Sequence, residues 1–589
     1  MILQELARYY ERKAADAETA LAPEGFELKE IPFVIVLDDK GKFVQIEDTR
    51  TPDGKKKRAR SFLVPQGVKK TSGVAANLLW DTAEYVLGID TKGKPDRVVL
   101  QHAEFVERLA ELPADDPGVC AVKAFLADVP LTLLEQEASW EEIQATNPNL
   151  TFQLVHDTEL VCARTAIVEA LLAKASGSDD ETSTAVRGIC LVSGEDAEIQ
   201  RLHPSIKGVW GAQSSGANIV SFNLRAFESY GKEQRQGENA PVGKRAAFAY
   251  TTALNTLLGK DSTQRIQVGD ASTIFWSEKE SFLEGSFASL WGEPPKDDPD
   301  KGTNAVKALY ESVKQGSLNV SDATTQFFVL GLAPNAARIS IRFWLTGTVH
   351  QFSERIVEHF DDIAIDRAPY DPPYPSLFRL LASTALQGKA ENIPPSLGGD
   401  TMRAILSGLP YPETLLLCAL HRIRAEREVS YSRAALIKAC INRKARRSKL
   451  ADDSAPEEEL KVSLDLANTN VGYRLGRLFA ALEKVQEEAS PGLNATVRDR
   501  FYGAASSTPV TVFSNLIKLS KHHLAKIENR GRAVNLEKLL GEITDALDGD
   551  KGFTPHLSIA DQGRFAIGYY HQKQAFYAKK PEAAEGEQA

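Results

Sequence analysis

The chain has 589 residues, 43% of them hydrophobic and 25% charged, enough for an ample core and about four domains of ordinary size. Its 70 Lys and Arg against 80 Asp and Glu leave a formal net charge of −10, which excludes a free-standing nucleic-acid binder acting through overall charge. No apolar run approaches the roughly 20 residues that cross a bilayer, so no membrane association is expected.

Ile2, Leu3, Leu6, Tyr9 and Tyr10, with charges between them, predict an amphipathic helix over 2–20. They lack the basic-then-apolar layout of a secretion signal, so a cytoplasmic protein is expected. Residues 31–37 and 43–46 read as a hairpin around Asp38, Asp39, Lys40 and Gly41. A basic loop over 53–60 follows, with Lys55, Lys56, Lys57, Arg58 and Arg60 available to phosphates. The turn over 68–73 holds Lys69, Lys70, Ser72 and Gly73 and precedes an expected helix over 75–87. Backbone N–H groups at the start of that helix would join Lys69 and Lys70 on an anion, although a plain surface turn fits the same residues.

The pattern over 98–172 is mostly helical, the polar stretch 176–184 reads as a surface loop or junction, and 189–192 has strand character. Residues 211–231 spend Gly211, Gly216 and Gly231 on backbone freedom, while Gln213, Ser214, Ser215, Asn218, Ser221 and Asn223 offer short donors and acceptors. That composition suits either a polar ligand or a connection between a strand at 219–222 and a helix from Arg225. Residues 264–276, 327–332 and 338–344 look extended, with a turn over 333–337 and a loop over 291–303. In 338–344, Ile339, Ile341 and Phe343 alternate with Arg338, Ser340 and Arg342, so both arginines are expected on one wet face.

Beyond Tyr374 only helices are expected, over 377–386, 402–409, 412–428 and 433–443. The basic run 422–449 includes Arg433, Lys438, Arg443, Lys444, Arg446 and Arg447, as either a phosphate-binding surface or a solvated face. An acidic connection over 451–460 leads to a helix whose apolar stripe is Leu475, Leu478, Phe479, Leu482, Val485 and Ala489. Arg474, Arg477 and Lys484 flank that stripe. Thr508 and Pro509 start a further helix that turns Lys518, Lys521, His522 and Lys526 outward. The fold class is α+β: a mixed α/β region over 1–375, a helical connecting region over 376–450, a helical bundle over 461–578 and a disordered tail over 579–589.

Cys120, Cys162, Cys190, Cys418 and Cys440 are odd in number and unpaired in spacing, which points to reduced, buried thiols. Neither a metal site nor a cofactor is expected. No phosphate-loop, HExxH or Gly-x-Ser-x-Gly pattern occurs. Asp361 and Asp362 are adjacent acids expected to diverge into solvent, so the chain reads as a non-enzyme.

Five segments, in order along the chain, carry a family resemblance: MILQELARYYER at 1–12, NLLWDTAEYVLG at 77–88, GAQSSGANIVSFNLRAFESYG at 211–231, FFVLGLAPNAARISIRFW at 327–344 and YRLGRLFAALEKVQEEA at 473–489. In combination the chain resembles the Csd-type large subunit of the type I-C CRISPR surveillance complex, Cascade. The resemblance implies a CRISPR guide RNA, target double-stranded DNA, Cascade backbone subunits, small helical subunits and a helicase-nuclease as partners. It implies recognition of the protospacer-adjacent motif and R-loop opening. Side-chain chemistry in and beside the resembling blocks nominates Lys69, Lys70, Ser72, Gly73, Asn77, Gln213, Ser214, Ser215, Asn218 and Asn223 for motif reading. Lys55, Lys56, Lys57, Arg58, Arg338, Arg342, Arg443, Lys444, Arg446, Arg447, Arg474, Arg477, Lys518 and Lys521 are nominated for nucleic-acid backbone contacts. The family also implies a small subunit translated from the end of the gene; with only Met1 and Met402 available, a non-AUG start near Val462 is expected. An architectural subunit and a metal-dependent nuclease are the alternative readings.

Overall fold

A computed structural model describes residues 1–16, 21–53, 56–68, 70, 73–176, 186–222, 224–228, 236–292, 297–298, 300–314, 323–449, 458–547 and 553–577. Lys55, Lys69, Ser72, Asn223, Gly231 and the expected tail lie outside the described residues, as do parts of the expected loops over 176–184 and 291–303 and of the acidic connection. The chain divides into two units, Met1–Lys207 with Ser215–Thr256, and Gly208–Ser214 with Leu257–Ala589.

In the first unit, helix α1 (Ile2–Ala14) buries Leu6, Ala7 and Tyr9. Strands β1 (Phe26–Glu30) and β6 (Ser61–Pro65) pair antiparallel. The expected hairpin forms from β2 (Phe33–Leu37) and β3 (Phe43–Asp48), with an irregularity between Val36 and Leu37. The basic loop is a short ribbon instead, β4 (Thr51–Asp53) against β5 (Lys56–Arg58).

Two strands appear where a helical reading stood, β7 (Trp80–Thr82) and β8 (Asn149–Leu154). They complete a four-stranded sheet in the order β3-β2-β8-β7, with β2 and β8 parallel. Every residue of β2 is buried, which its unbroken FVIVL sequence requires of an interior strand. Helix 75–87 forms only at its end, as α2 (Ala83–Leu87). The Asp81 carboxylate accepts from the backbone N–H groups of Asn77 and Thr82, each at 2.8 Å. Such local side-chain bonds compete with helix hydrogen bonding, and Leu79 takes φ +62°.

Helices α3 (Pro95–Arg108), α4 (Pro117–Ala127), α5 (Leu131–Leu134), α6 (Trp140–Thr146) and α7 (Thr165–Ser176) follow. Strands β9 (Arg187–Ile189) and β10 (Asp196–Glu198) pair, and α8 (Lys244–Leu257) comes after them. The strand expected at 219–222 is absent among the described residues. Pairing near it includes the bridge Ile206 to Ala217, and Arg225–Phe227 is one 3-10 turn.

The second unit begins with an antiparallel sheet in the order β11 (Arg265–Val268), β12 (Ala271–Ser277), β13 (Gln326–Asn335) and β14 (Arg338–Thr348). Asn335 pairs with Arg338, so the expected turn tightens to Ala336 and Ala337, with Ala336 at φ +52°. Helices then run as α9 (Phe282–Trp291) and α10 (Lys301–Lys314) between β12 and β13, and α11 (Val349–Ile363), α12 (Leu377–Thr384), α13 (Leu397–Leu406), α14 (Glu413–Glu426) and α15 (Tyr431–Lys449) after β14. The last set is α16 (Val471–Ala489), α17 (Val497–Ala505), α18 (Phe513–Lys526), α19 (Arg530–Asp545) and α20 (Ile559–Tyr577). Among the described residues no strand follows Thr348, as expected. Pro509 opens a 3-10 turn ahead of α18, and the Thr508 side chain does not cap it. One hydrophobic core runs from Phe275 and Phe327 on the sheet to Phe479 and Phe565 in the terminal helices. The fold is α+β.

Candidate nucleic-acid interface

Asp81 organises the corner that contains the Lys70 turn. Its side chain is 1% exposed, and both oxygens accept from the Lys70 ammonium at 2.7 Å. Lys70 also stands 3.7 Å from the centre of the Tyr85 ring. Asn77, nominated for DNA reading, is buried; its Oδ1 accepts the Val68 N–H at 2.9 Å. Its amide is therefore engaged in holding the turn. Gly73, at φ +113°, has open space around it, and its carbonyl accepts from Arg97.

The glycine-rich segment is divided between the units, Gln213 and Ser214 in the second and Ser215 and Asn218 in the first. Gln213, Ser214 and Ser215 are exposed, whereas Asn218 is buried and donates to the carbonyls of His203 and Pro204 at 3.1 and 3.0 Å. In this arrangement Asn218 braces the His203–Pro204 backbone. Gly216, at φ +91°, turns the chain against Lys207: a Cβ there would come within 3.3 Å of Lys207 Cγ and 2.9 Å of the Ile206 carbonyl.

Lys29 on β1 places its ammonium 4.7 Å from the centre of the Trp80 ring. Burial first, then the Lys207 charge, hold the Lys29 pKa below the ordinary lysine value; Lys70 acts in the same sense, against Glu27 and Asp81. Neither Lys29 nor Lys207 stands out in the sequence, because each is a single cation outside any basic run.

Several nominated cations turn inward. Arg443 is 3% exposed; it pairs with Asp362, donates to the carbonyls of Ala404 and Leu409, and stacks 4.5 Å from the Tyr411 ring centre. Arg446 pairs with Asp362 and Glu358. Asp362 is buried instead of solvated, and burial raises its pKa against the pull of Arg443 and Arg446. Asp361 accepts from the Tyr310 hydroxyl at 2.6 Å. Arg474 donates to the carbonyls of Asn468 and Ala546, while buried Arg477 donates to Gln572 at 3.1 Å. These arginines have the chemistry of interior cross-links.

On β14 the two arginines do not share a regular face. Ile341 pairs with Leu332 and Phe343 with Gly331, leaving Arg342 as the extra residue of a bulge and Ile341 exposed. Arg342 reaches Asp270 at 2.7 Å.

Outward cations are of two kinds. Lys57, Arg58 and Lys444 have acidic neighbours, Asp48 at 3.7 Å, Glu30 at 3.5 Å and Glu413 at 3.0 Å. Lys518, Lys521 and Lys526 on α18 are exposed with no acidic partner among the described residues, while Phe513 and Leu516 bury the opposite face. Arg447 is exposed as well. All five cysteines are free thiols, but Cys120 is exposed and Cys418 half-buried, so burial is not general. Among the described residues no group of three His, Cys, Asp or Glu is disposed to hold a metal, and no helix is long and apolar enough to cross a membrane.

Comparison with known proteins supplies the class. The model of a CRISPR-associated protein family matches residues 6–577, nearly the whole chain. The chain belongs to that family, described as CRISPR-associated protein Cas_Csd1, in keeping with the resemblance that runs from the amino-terminal helix to α16. A comparison with curated proteins finds no match.

Proposed function

We propose that this chain is the large subunit of a type I-C RNA-guided antiviral complex that recognises the protospacer-adjacent motif in double-stranded DNA. It promotes duplex opening and R-loop formation, and it helps recruit a helicase-nuclease that performs the cutting; the chain itself is not an enzyme. It works in the cytoplasm with guide RNA, backbone subunits and small helical subunits. The observation that carries the reading is membership of this CRISPR-associated family, matched over residues 6–577.

Lysines suit phosphates, and short hydroxyl and amide groups suit groove edges. Exchange of a DNA duplex for an RNA–DNA duplex is nearly balanced, so modest contacts beside the opening point decide whether it begins. The unpaired lysines of α18 suit the backbone of an opened strand. A second reading, an architectural subunit without DNA readout, is favoured by the inward engagement of Arg443, Arg446, Arg474 and Arg477.

Duplexes with a randomised flanking sequence, bound by the reconstituted complex, separate the two readings. One short motif should be enriched, and Lys518→Ala with Lys521→Ala should weaken binding to every duplex without changing that motif. Absence of enrichment would leave the architectural reading standing.

A further inference from the structure

Of the six tryptophans, Trp80, Trp140, Trp276 and Trp291 are buried and Trp344 is half-buried, whereas Trp210 is 59% exposed. Its backbone is nonetheless fixed. The Trp210 N–H donates to the Ser272 hydroxyl of β12 at 2.9 Å. On one side Gly208 takes φ +86°, and a Cβ there would stand 2.5 Å from the Leu258 carbonyl oxygen; on the other Gly211 takes φ +77°, and its Cβ would stand 3.4 Å from Pro334 Cγ. Two segments that carry the family resemblance, 211–231 and 327–344, therefore touch within the second unit, at Gly211 and Pro334, next to this indole.

The surroundings restrict what the ring can receive. Beside it in the chain the exposed residues are Gly208, Gly211, Gln213 and Ser214, and Asn335 is exposed next to Pro334. None of these is a large apolar side chain. A protein partner docks on a contiguous apolar patch around its aromatic anchor, which this segment lacks. A nucleobase needs one exposed ring for its flat face and short polar groups at its edge. A ring held on a fixed backbone also loses little freedom when it is covered.

Resting on the proposed nucleic-acid role, we infer that Trp210 is a stacking platform for one unpaired base of the opened target. The indole covers the face of the base, and Gln213 and Ser214 offer an amide and a hydroxyl to its edge. A paired base inside a duplex hides both faces in its own stack, so the platform selects DNA that is already open at that position.

The test uses the reconstituted complex and a target duplex with a pre-opened bubble beside the flanking motif. An abasic site is moved one position at a time through each strand of the bubble, and affinity is measured for the parent, Trp210→Ala and Trp210→Phe. In the parent, an abasic site at the stacked position should weaken binding by roughly 5- to 100-fold. Trp210→Ala should weaken binding to the intact bubble by a similar factor and erase the effect of that one abasic position, while Trp210→Phe, which keeps a ring, should restore most of both. Identical abasic profiles in the parent and Trp210→Ala would overturn the platform. So would loss of a protein subunit from the Trp210→Ala complex, which would mark the indole as a protein contact. A parent complex that binds the bubble without preferring any motif would count against the proposed function alone, because the abasic scan reads stacking beside any flanking sequence.

Discussion

Arg443 sits in the middle of α15 with its guanidinium enclosed by the Asp362 carboxylate, the carbonyls of Ala404 and Leu409 and the Tyr411 ring. Losing one partner of a buried pair costs about 3 to 5 kcal/mol, and the retained Arg446–Asp362 pair puts this case at the lower end. Arg443→Ala should therefore lower stability by about that amount in urea unfolding, whereas Lys518→Ala, on the exposed face of α18, should stay within about 0.5 kcal/mol. Equal, small losses in the two variants would show that the Arg443 pair is not a structural cross-link. Asn77 and Asn218 are likewise buried and bonded to backbone that shapes the turns beside them.

Helices α16 and α20 meet along a seam of glycines. A Cβ at Gly476 would overlap the Phe565 carbonyl oxygen, one at Gly568 the Tyr473 carbonyl, and one at Gly472 the Asp561 carbonyl. These are backbone atoms, so a flexible side chain cannot swing aside. Gly476→Ala gains about 1 kcal/mol of helix propensity, but overpacking in a close-packed interior costs about 1 to 3 kcal/mol and more when backbone must move. The expected net effect is a lower urea midpoint for the full chain, and a midpoint at or above the parent value would refute the close-approach account. The bulge at Arg342 is the sheet counterpart of this seam: one extra residue in β14 places Ile341 and Arg342 both outward.

Across the whole molecule, 80 acids against 70 bases oppose a polyanion at long range. Exposed cations such as Lys518 and Lys521 must act at short range, where screening at physiological salt over about 8 Å matters little. The isolated chain should therefore bind duplex DNA weakly at about 150 mM salt and gain affinity when guide RNA and the other subunits are present. Fluorescence anisotropy of one labelled duplex with chain and complex in the same buffer checks this. Comparable Kd values for the two would contradict it.

The α+β class, the β2–β3 hairpin, the β13–β14 pair and the helical region beyond Tyr374 were legible in the sequence, because alternation and helical spacing record which face of an element is buried. Sequence also carried the family, whose marks are spread from the first helix to α16. Only tertiary structure decided that β8 is an interior strand, since a short apolar run has no period of its own, and that Asp81 arrests the helix before Ala83. It decided, too, which cations are available. Periodicity assigns a residue to a side of its own helix, but whether that side meets water or a buried carboxylate depends on a partner distant in the chain, as Asp362 is from Arg443.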